Sequence, residues 1–369
     1  MRPTILTLCA TLVVSTAQAS PSASVVDLGP TSLFSTQGPL GFPGGNGILN
    51  GHGHVAGVSY DPVLGPVAAI DVFGTVTALG TTAITGSFGA AINDADAVVG
   101  YFLSPVDETI HAGLFRHRRP TKDLGSLGGP ISAAFAINDN GVIVGYSSLA
   151  DGSSAHAASF SSVDAPLDLG TLGGPISAAL AVNRFNSAVG FSTLSDDISI
   201  HATLFSRHAP ALDLGSLGGP LSLATAINGR GDIVGSSLLS DGVTTHAAAF
   251  TPGGAPTDLG ALAGDTMSSA SGINSASCIV GISSSQTQRG VLWTKSRGAW
   301  TILDLNSLIE KGSWTIDSAI AINDRAMVAA TGFQSDGVEH TVLINLGDSL
   351  DSKCVASEAH TAERDRNAT

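Results

Sequence analysis

Histidines recur through this sequence at one interval. His111, His156, His201 and His246 each open the pattern His-Ala-x-x-Phe at a spacing of 45 residues, and His340 begins a looser copy. Imidazole is a common metal ligand, so an evenly spaced set raises the question of a metal site. Equivalent positions on successive repeats lie too far apart to share one ion unless they line a narrow axis. The expected role is therefore structural, with each His capping a backbone group between repeats.

Carboxylates recur as well. An Asp-Leu-Gly row runs from Asp27 through Asp123, Asp168, Asp213 and Asp258 and loosens to Asp304-Leu305-Asn306; its side chains suit turn caps that accept backbone N–H groups. A second set, Asp107, Asp151, Asp196, Asp197, Asp241 and Asp336, falls in one hairpin turn of successive repeats and so on one rim. Such a rim could hold calcium or a cationic partner, but Asp and Asp-Gly are also ordinary turn residues, and that is the better account. His111, His156, His201, His246, Asp151 and Asp241 are thus weak metal candidates, and no cofactor is expected. Gly51-His52-Gly53-His54 has no Cys or carboxylate at ligand spacing and reads as a loop.

Phe115, Phe160, Phe205, Phe250 and Trp293 keep the repeat spacing and read as core. Trp300 and Trp314 do not. They flank the irregular stretch 307–313, where the Asp-to-Asn spacing grows from 15 residues (Asp123 to Asn138) to 19 (Asp304 to Asn323). Irregularity on a regular scaffold often marks function, which makes Trp300 and Trp314 the binding candidates; the competing account is two packed aromatics beside a tolerated insertion. No nucleophile elbow, His-Glu-x-x-His helix, phosphate loop or Cys/His zinc spacing occurs, and no catalytic residue is assigned.

The elements that carry these residues follow from the period. A small-residue run, 132–138, meets the turn Asp139-Asn140-Gly141 and returns as 142–148; Asp151-Gly152 turns the chain into 156–160, and 166–170 is a fourth strand. Four strands in 45 residues is the period of a β-propeller blade. The Asp-Leu-Gly, Ile/Val-Asn and His-Ala rows each count seven when degenerate copies are included. The chain starts with an Asp-Leu-Gly strand and its ordered part ends with a His strand. The expected fold is an all-β, seven-bladed propeller whose amino-terminal strand completes the last blade and removes an open edge. Ser, Ala and Gly before each Asn fit an innermost strand crowded about the axis.

Residues 1–19 have a basic start, an apolar run and an Ala-Gln-Ala site, the pattern of an export signal too short to be a membrane anchor. The repeats are expected over 20–345 and a disordered tail over 346–369. Loss of Arg2 with the signal takes the formal charge from −14 to −15, which disfavours nucleic acid and anionic membrane surfaces as partners. Of the remaining cysteines, Cys278 and Cys354 could form one bridge tying the tail to the body.

Asp-Leu-Gly-Thr-Leu-Gly-Gly at Asp168, Ala-Ile-Asn-Asp-Asn-Gly-Val-Ile-Val-Gly at Ala136 and His-Ala-Ala-Ser-Phe at His156 together resemble the HAF repeat family. The resemblance spans nearly all of 20–345, most strongly from about residue 90 to 250, and lapses at Arg289-Gly290-Val291, where the His is missing. It implies an exported bacterial repeat protein and carries no catalytic residue. The expected function is a noncatalytic binding or scaffold module, secreted or periplasmic and monomeric, with an extracellular glycan or protein as ligand. The alternatives are a glycan-active hydrolase or lyase using carboxylates at the axial mouth, and a structural envelope protein.

Overall fold

The computed structural model describes residues 23–31, 34–35, 46–63, 65–80, 86–347 and 353–356; the expected signal and most of the expected tail lie outside them. The protein is all-β, its sheets set in a ring that resembles a β-propeller. Among the described residues no helix is long and apolar enough to cross a membrane.

One repeat shows how the sequence makes the unit. Gly128–Ile137 pairs antiparallel with Ile143–Leu149, which pairs with Ala155–Phe160, and the short Leu167–Asp168 pairs along the outer side. The register slips between Ala134 and Ala136, opposite Gly145. Any side chain at Gly145 would overlap the Ala133 carbonyl, and Gly190 and Gly235 stand in the same relation to the carbonyls of Ala178 and Leu223. The bulge therefore dictates the glycine. The turn after each inner strand has its own signature: the third residue past the Asn has positive φ in all seven copies, from 54° at Asp96 to 90° at Gly53. Gly, Asn and Asp hold most of these places because they tolerate that region.

Four sheets are separate and four-stranded, while three central repeats join as one twelve-stranded sheet. This departs from the expectation of seven separate blades. The joins are single parallel pairings, Ala155 with Ile176 and Ile200 with Leu221. They form where Leu-Gly-Gly-Pro, turning through Gly173 at φ 107° and Gly218 at φ 104°, lays the start of one inner strand beside the His strand of the repeat before. The amino-terminal strand Ser24–Pro30 pairs antiparallel with Glu339–Asn345, placing Asp27 opposite Val342.

The core lies between successive repeats rather than within them. Ala136, Val144, Ala157 and Leu169 of one repeat pack on Ala179, Ala188 and Phe205 of the next. Phe115, Phe160, Phe205, Phe250 and Trp293 are all buried, as are Leu124, Leu169, Leu214 and Leu259 of the Asp-Leu-Gly row. Ile48, Leu49 and Val55 of the first repeat pack on Ile320, Ala329 and Leu343 of the last.

The Asn row binds these interfaces at their inner ends. The Nδ2 of Asn50 donates to the backbone carbonyl of Asn93 at 3.2 Å, Asn93 to Asn138 at 3.2 Å, and Asn138 to Asn183 at 2.9 Å. The series goes on through Asn183 to Asn228 at 3.3 Å, Asn228 to Asn274 at 3.0 Å and Asn274 to Asn323 at 3.0 Å. Asn323 donates to Asn50 at 2.9 Å, returning the series to its start. Each Oδ1 meanwhile accepts from its own turn; that of Asn183 takes the N–H groups of Phe185 and Ser187.

A disulfide joins Cys278 to Cys354 across 76 residues. Around it, Asn274 Nδ2 donates to the Cys354 carbonyl at 2.7 Å and Ala356 N to the Asp324 carbonyl at 3.0 Å, so 353–356 is docked on the inner turns.

Asn183→Ala strands two turn N–H groups and one carbonyl, and is expected to lower the stability of unfolding by about 2 kcal/mol. Asn140→Ala, which removes one exposed bond to the Arg184 carbonyl, is expected to cost less than about 0.5 kcal/mol. Urea denaturation of the two variants checks this; equal losses would contradict the role given to the Asn row.

Candidate functional site: the axial mouth

The strands have two ends with different chemistry. Ile143, just past the Asn turn, sits opposite Phe160, whereas Ser147 sits opposite His156. Asn turns and histidines are thus at opposite ends of each sheet.

At the His end every candidate side chain is committed. Nδ1 of His111, His156, His201 and His246 lies 2.6–2.9 Å from Asp123, Asp168, Asp213 and Asp258. His340 Nδ1 lies 2.8 Å from Asp27, at the other end of the chain. The partner is a carboxylate of the fourth strand, not a backbone group between repeats as the sequence led us to expect. The same carboxylates accept the N–H two residues on, as in Gly125 to Asp123 at 2.8 Å and Gly170 to Asp168 at 2.7 Å. Where the His is missing, Arg289 reaches Asp304 at 3.7 Å. A nitrogen-bearing side chain thus still faces the Asp, although Arg289 lies closer to Asp265, at 2.7 Å.

The acidic rim is equally local. Asp151 Oδ1 accepts from Ser153 and Ser154, and Asp241 Oδ1 from Val243 and Thr244. The Ser153 backbone N–H chiefly holds Asp151 below the usual carboxylate range, and the Thr244 hydroxyl does so for Asp241. Among the described residues no three His, Cys, Asp or Glu side chains gather as a metal set.

Trp300 and Trp314 do not share a site. Trp300, half-buried on Ala299–Asp304, packs on the cluster of Trp293, with Lys295 Nζ 5.2 Å from its ring centroid. Trp314 packs on the cluster of Cys278 and Cys354 and meets the His340 ring edge-on at 5.5 Å. The stretch between them buries Ile309 and accepts Ala23 N on the Leu308 carbonyl at 2.8 Å. The insertion anchors the start of the first strand.

At the Asn end lies a cavity of about 470 Å³ lined by six of the seven row asparagines, all but Asn183, and by the residue after each of the seven. Those residues are Gly51, Asp94, Asp139, Arg184, Gly229, Ser275 and Asp324. The turn Asn46–Ile48 lies against the inner strands Ser87–Ile92, Gly128–Ile137, Met267–Ile273 and Thr315–Ile322, and its Gly47 lines the cavity. Carboxylates link neighbours around the mouth: Gly51 N donates to Asp94 Oδ1 at 2.6 Å, Asp94 N to Asp139 Oδ1 at 2.8 Å, and Ser275 N to Asp324 Oδ1 at 2.7 Å. Arg184 breaks the series and Gly229 leaves a gap beside it. The sequence displays the Asn row, but its partners and this cavity come only from the ring; the varied residue after each Asn was the available signal. No protein-family model matches the chain, and comparison with characterised proteins finds no significant match.

His111 differs from its counterparts in holding two carboxylates, Asp123 on Nδ1 and Asp107 on Nε2 at 3.1 Å. Burial pulls its pKa down, but the hydrogen bonds and charges of Asp123 and Asp107 outweigh this and raise it above 6.5. A raised His contributes stability below its unfolded pKa and loses it as pH rises through the folded value. The stability gap between wild type and His111→Gln should therefore be larger at about pH 6 than at about pH 8; a gap independent of pH would show that His111 is not charged in the fold.

Proposed function

We propose that this chain is an exported ring of seven four-stranded blades of the HAF-repeat type, which binds an extracellular glycan or protein at its axial mouth without turning it over. The blade count takes the twelve-stranded sheet as three four-stranded units beside four separate sheets. The circuit of asparagines and the seating of Ser24–Pro30 in the last sheet support closure of the ring.

One observation carries the binding reading. The repeat is held nearly constant at its Asp-Leu-Gly, Asn, Gly and His-Ala positions, yet the residue after each Asn changes size and charge from copy to copy, and all seven of those residues face one cavity. Constant positions answer to packing; a varied set converging on one concave surface answers to a ligand. The rim acids and histidines favour no such role, being used within their own turns and pairs. Asp94, Asp139 and Asp324 at the mouth keep a glycan-cleaving alternative in view, since a carboxylate pair can be drawn from different blades.

The measurement is the melting temperature of residues 20–369 against a panel of neutral and charged oligosaccharides, with assay of products. A ligand of the folded state raises it by mass action. Gly229→Trp places bulk in the mouth, where the atoms nearest a side chain at Gly229 belong to Arg184. A saturable rise abolished by Gly229→Trp, with no product formed, is expected. Release of new reducing ends would select the hydrolase, and a rise insensitive to Gly229→Trp would move the site off the axis.

A further inference from the structure

Two guanidinium side chains line the mouth, Arg184 and Arg325, and only that of Arg184 has a buried nitrogen without a partner among the described residues. Arg184 takes part in no ion pair among the described residues, and its Nε is buried with no hydrogen-bond acceptor. Its guanidinium is held in place by two neighbours, the Phe185 ring 4.9 Å beneath it and the bare backbone of Gly229, where a Cβ would come within 3.3 Å of Nε. In a chain of formal charge −14, with Asp139 on the preceding repeat, a lone buried guanidinium nitrogen is a costly arrangement unless an anion completes it. Asp139 on the preceding repeat and Asp94 on the one before that use Oδ1 for backbone N–H groups, and their Oδ2 atoms carry no hydrogen bond among the described residues.

Resting on the axial-mouth reading, we infer that the ligand is a carboxylated saccharide, the end or a segment of a uronic-acid-containing glycan. Its carboxylate takes Arg184, whose planar fork matches two oxygens, and its hydroxyls donate to Asp94 and Asp139. A neutral sugar leaves Nε unpaired. A phosphate monoester, with close to two negative charges, is repelled by Asp94, Asp139 and Asp324 more strongly than a carboxylate with one. One carboxylate among several hydroxyls is the ligand chemistry that meets both halves of the site.

Isothermal titration at low salt with short oligogalacturonates, oligomannuronates and oligoglucuronates, each beside its methyl ester, tests the assignment. At least one uronate is expected to bind about tenfold or more tighter than its ester, and Arg184→Gln to remove that preference. His156→Gln, at the far end of the sheets, should leave it intact, and a single cooperative melting transition in each variant shows that folding is preserved. If acid and ester bind alike, or Arg184→Gln has no effect while Gly229→Trp still abolishes binding, the carboxylate assignment is overturned and the axial site stands. If no uronate binds, the assignment fails; if, in addition, no other glycan responds to Gly229→Trp, the axial reading fails with it.

Discussion

A single side-chain amide, used seven times, sets the geometry of this protein. Each row Asn does two things at once: its oxygen clamps the turn that reverses the inner strand, and its nitrogen grips the backbone of the next repeat. Asp could perform the first task but has no donor for the second, and Ser is too short to span both. Because the acceptor in every case is the backbone carbonyl of the next Asn, the local turn and the spacing between repeats are fixed by the same atoms. Small inner-strand residues, the bulge opposite Gly145 and the interlocking of Phe205 with Ala136 and Val144 all presuppose that spacing.

The two ends of the strands divide stability from variation. At one end, His–Asp pairs and capped turns are repeated with little change, and even the repeat that lost its His has Arg289 facing the carboxylate. At the other, the amide circuit is complete without the following residue, which links neighbouring repeats where it is Asp94, Asp139 or Asp324 and differs as Arg184 and Gly229. A scaffold whose restraints lie in backbone and row asparagines can change its mouth one repeat at a time.

Much of the unit was legible in the sequence because it depends on local patterns. The four-strand period, the glycine-bearing turns and the buried aromatic row follow from residue spacing alone. What lay beyond reading was set by partners distant along the chain. His340 meets Asp27 across 313 residues; the phase of the rows brings their two strands together, but neither residue announces the His–Asp contact itself. The fusion of three repeats into one sheet turns on single pairings such as Ala155 with Ile176, too small a feature to leave a signature. Trp300 and Trp314 drew notice as exceptions to the repeat, yet the irregular stretch between them serves to hold Ala23, while the mouth is marked only by variation at otherwise unremarked positions.

The pairing of Ser24–Pro30 with Glu339–Asn345 bears on how the chain comes to be folded. The first strand among the described residues has for its neighbour the last of them, so it is an unpaired β-edge while the intervening repeats stack. Those repeats can assemble by short-range contacts, but the last sheet waits on the longest loop in the molecule, the kind of contact that slows folding. A truncated or stalled chain would carry two unsatisfied edges, one at each end, and would pair them with a second copy as readily as with itself.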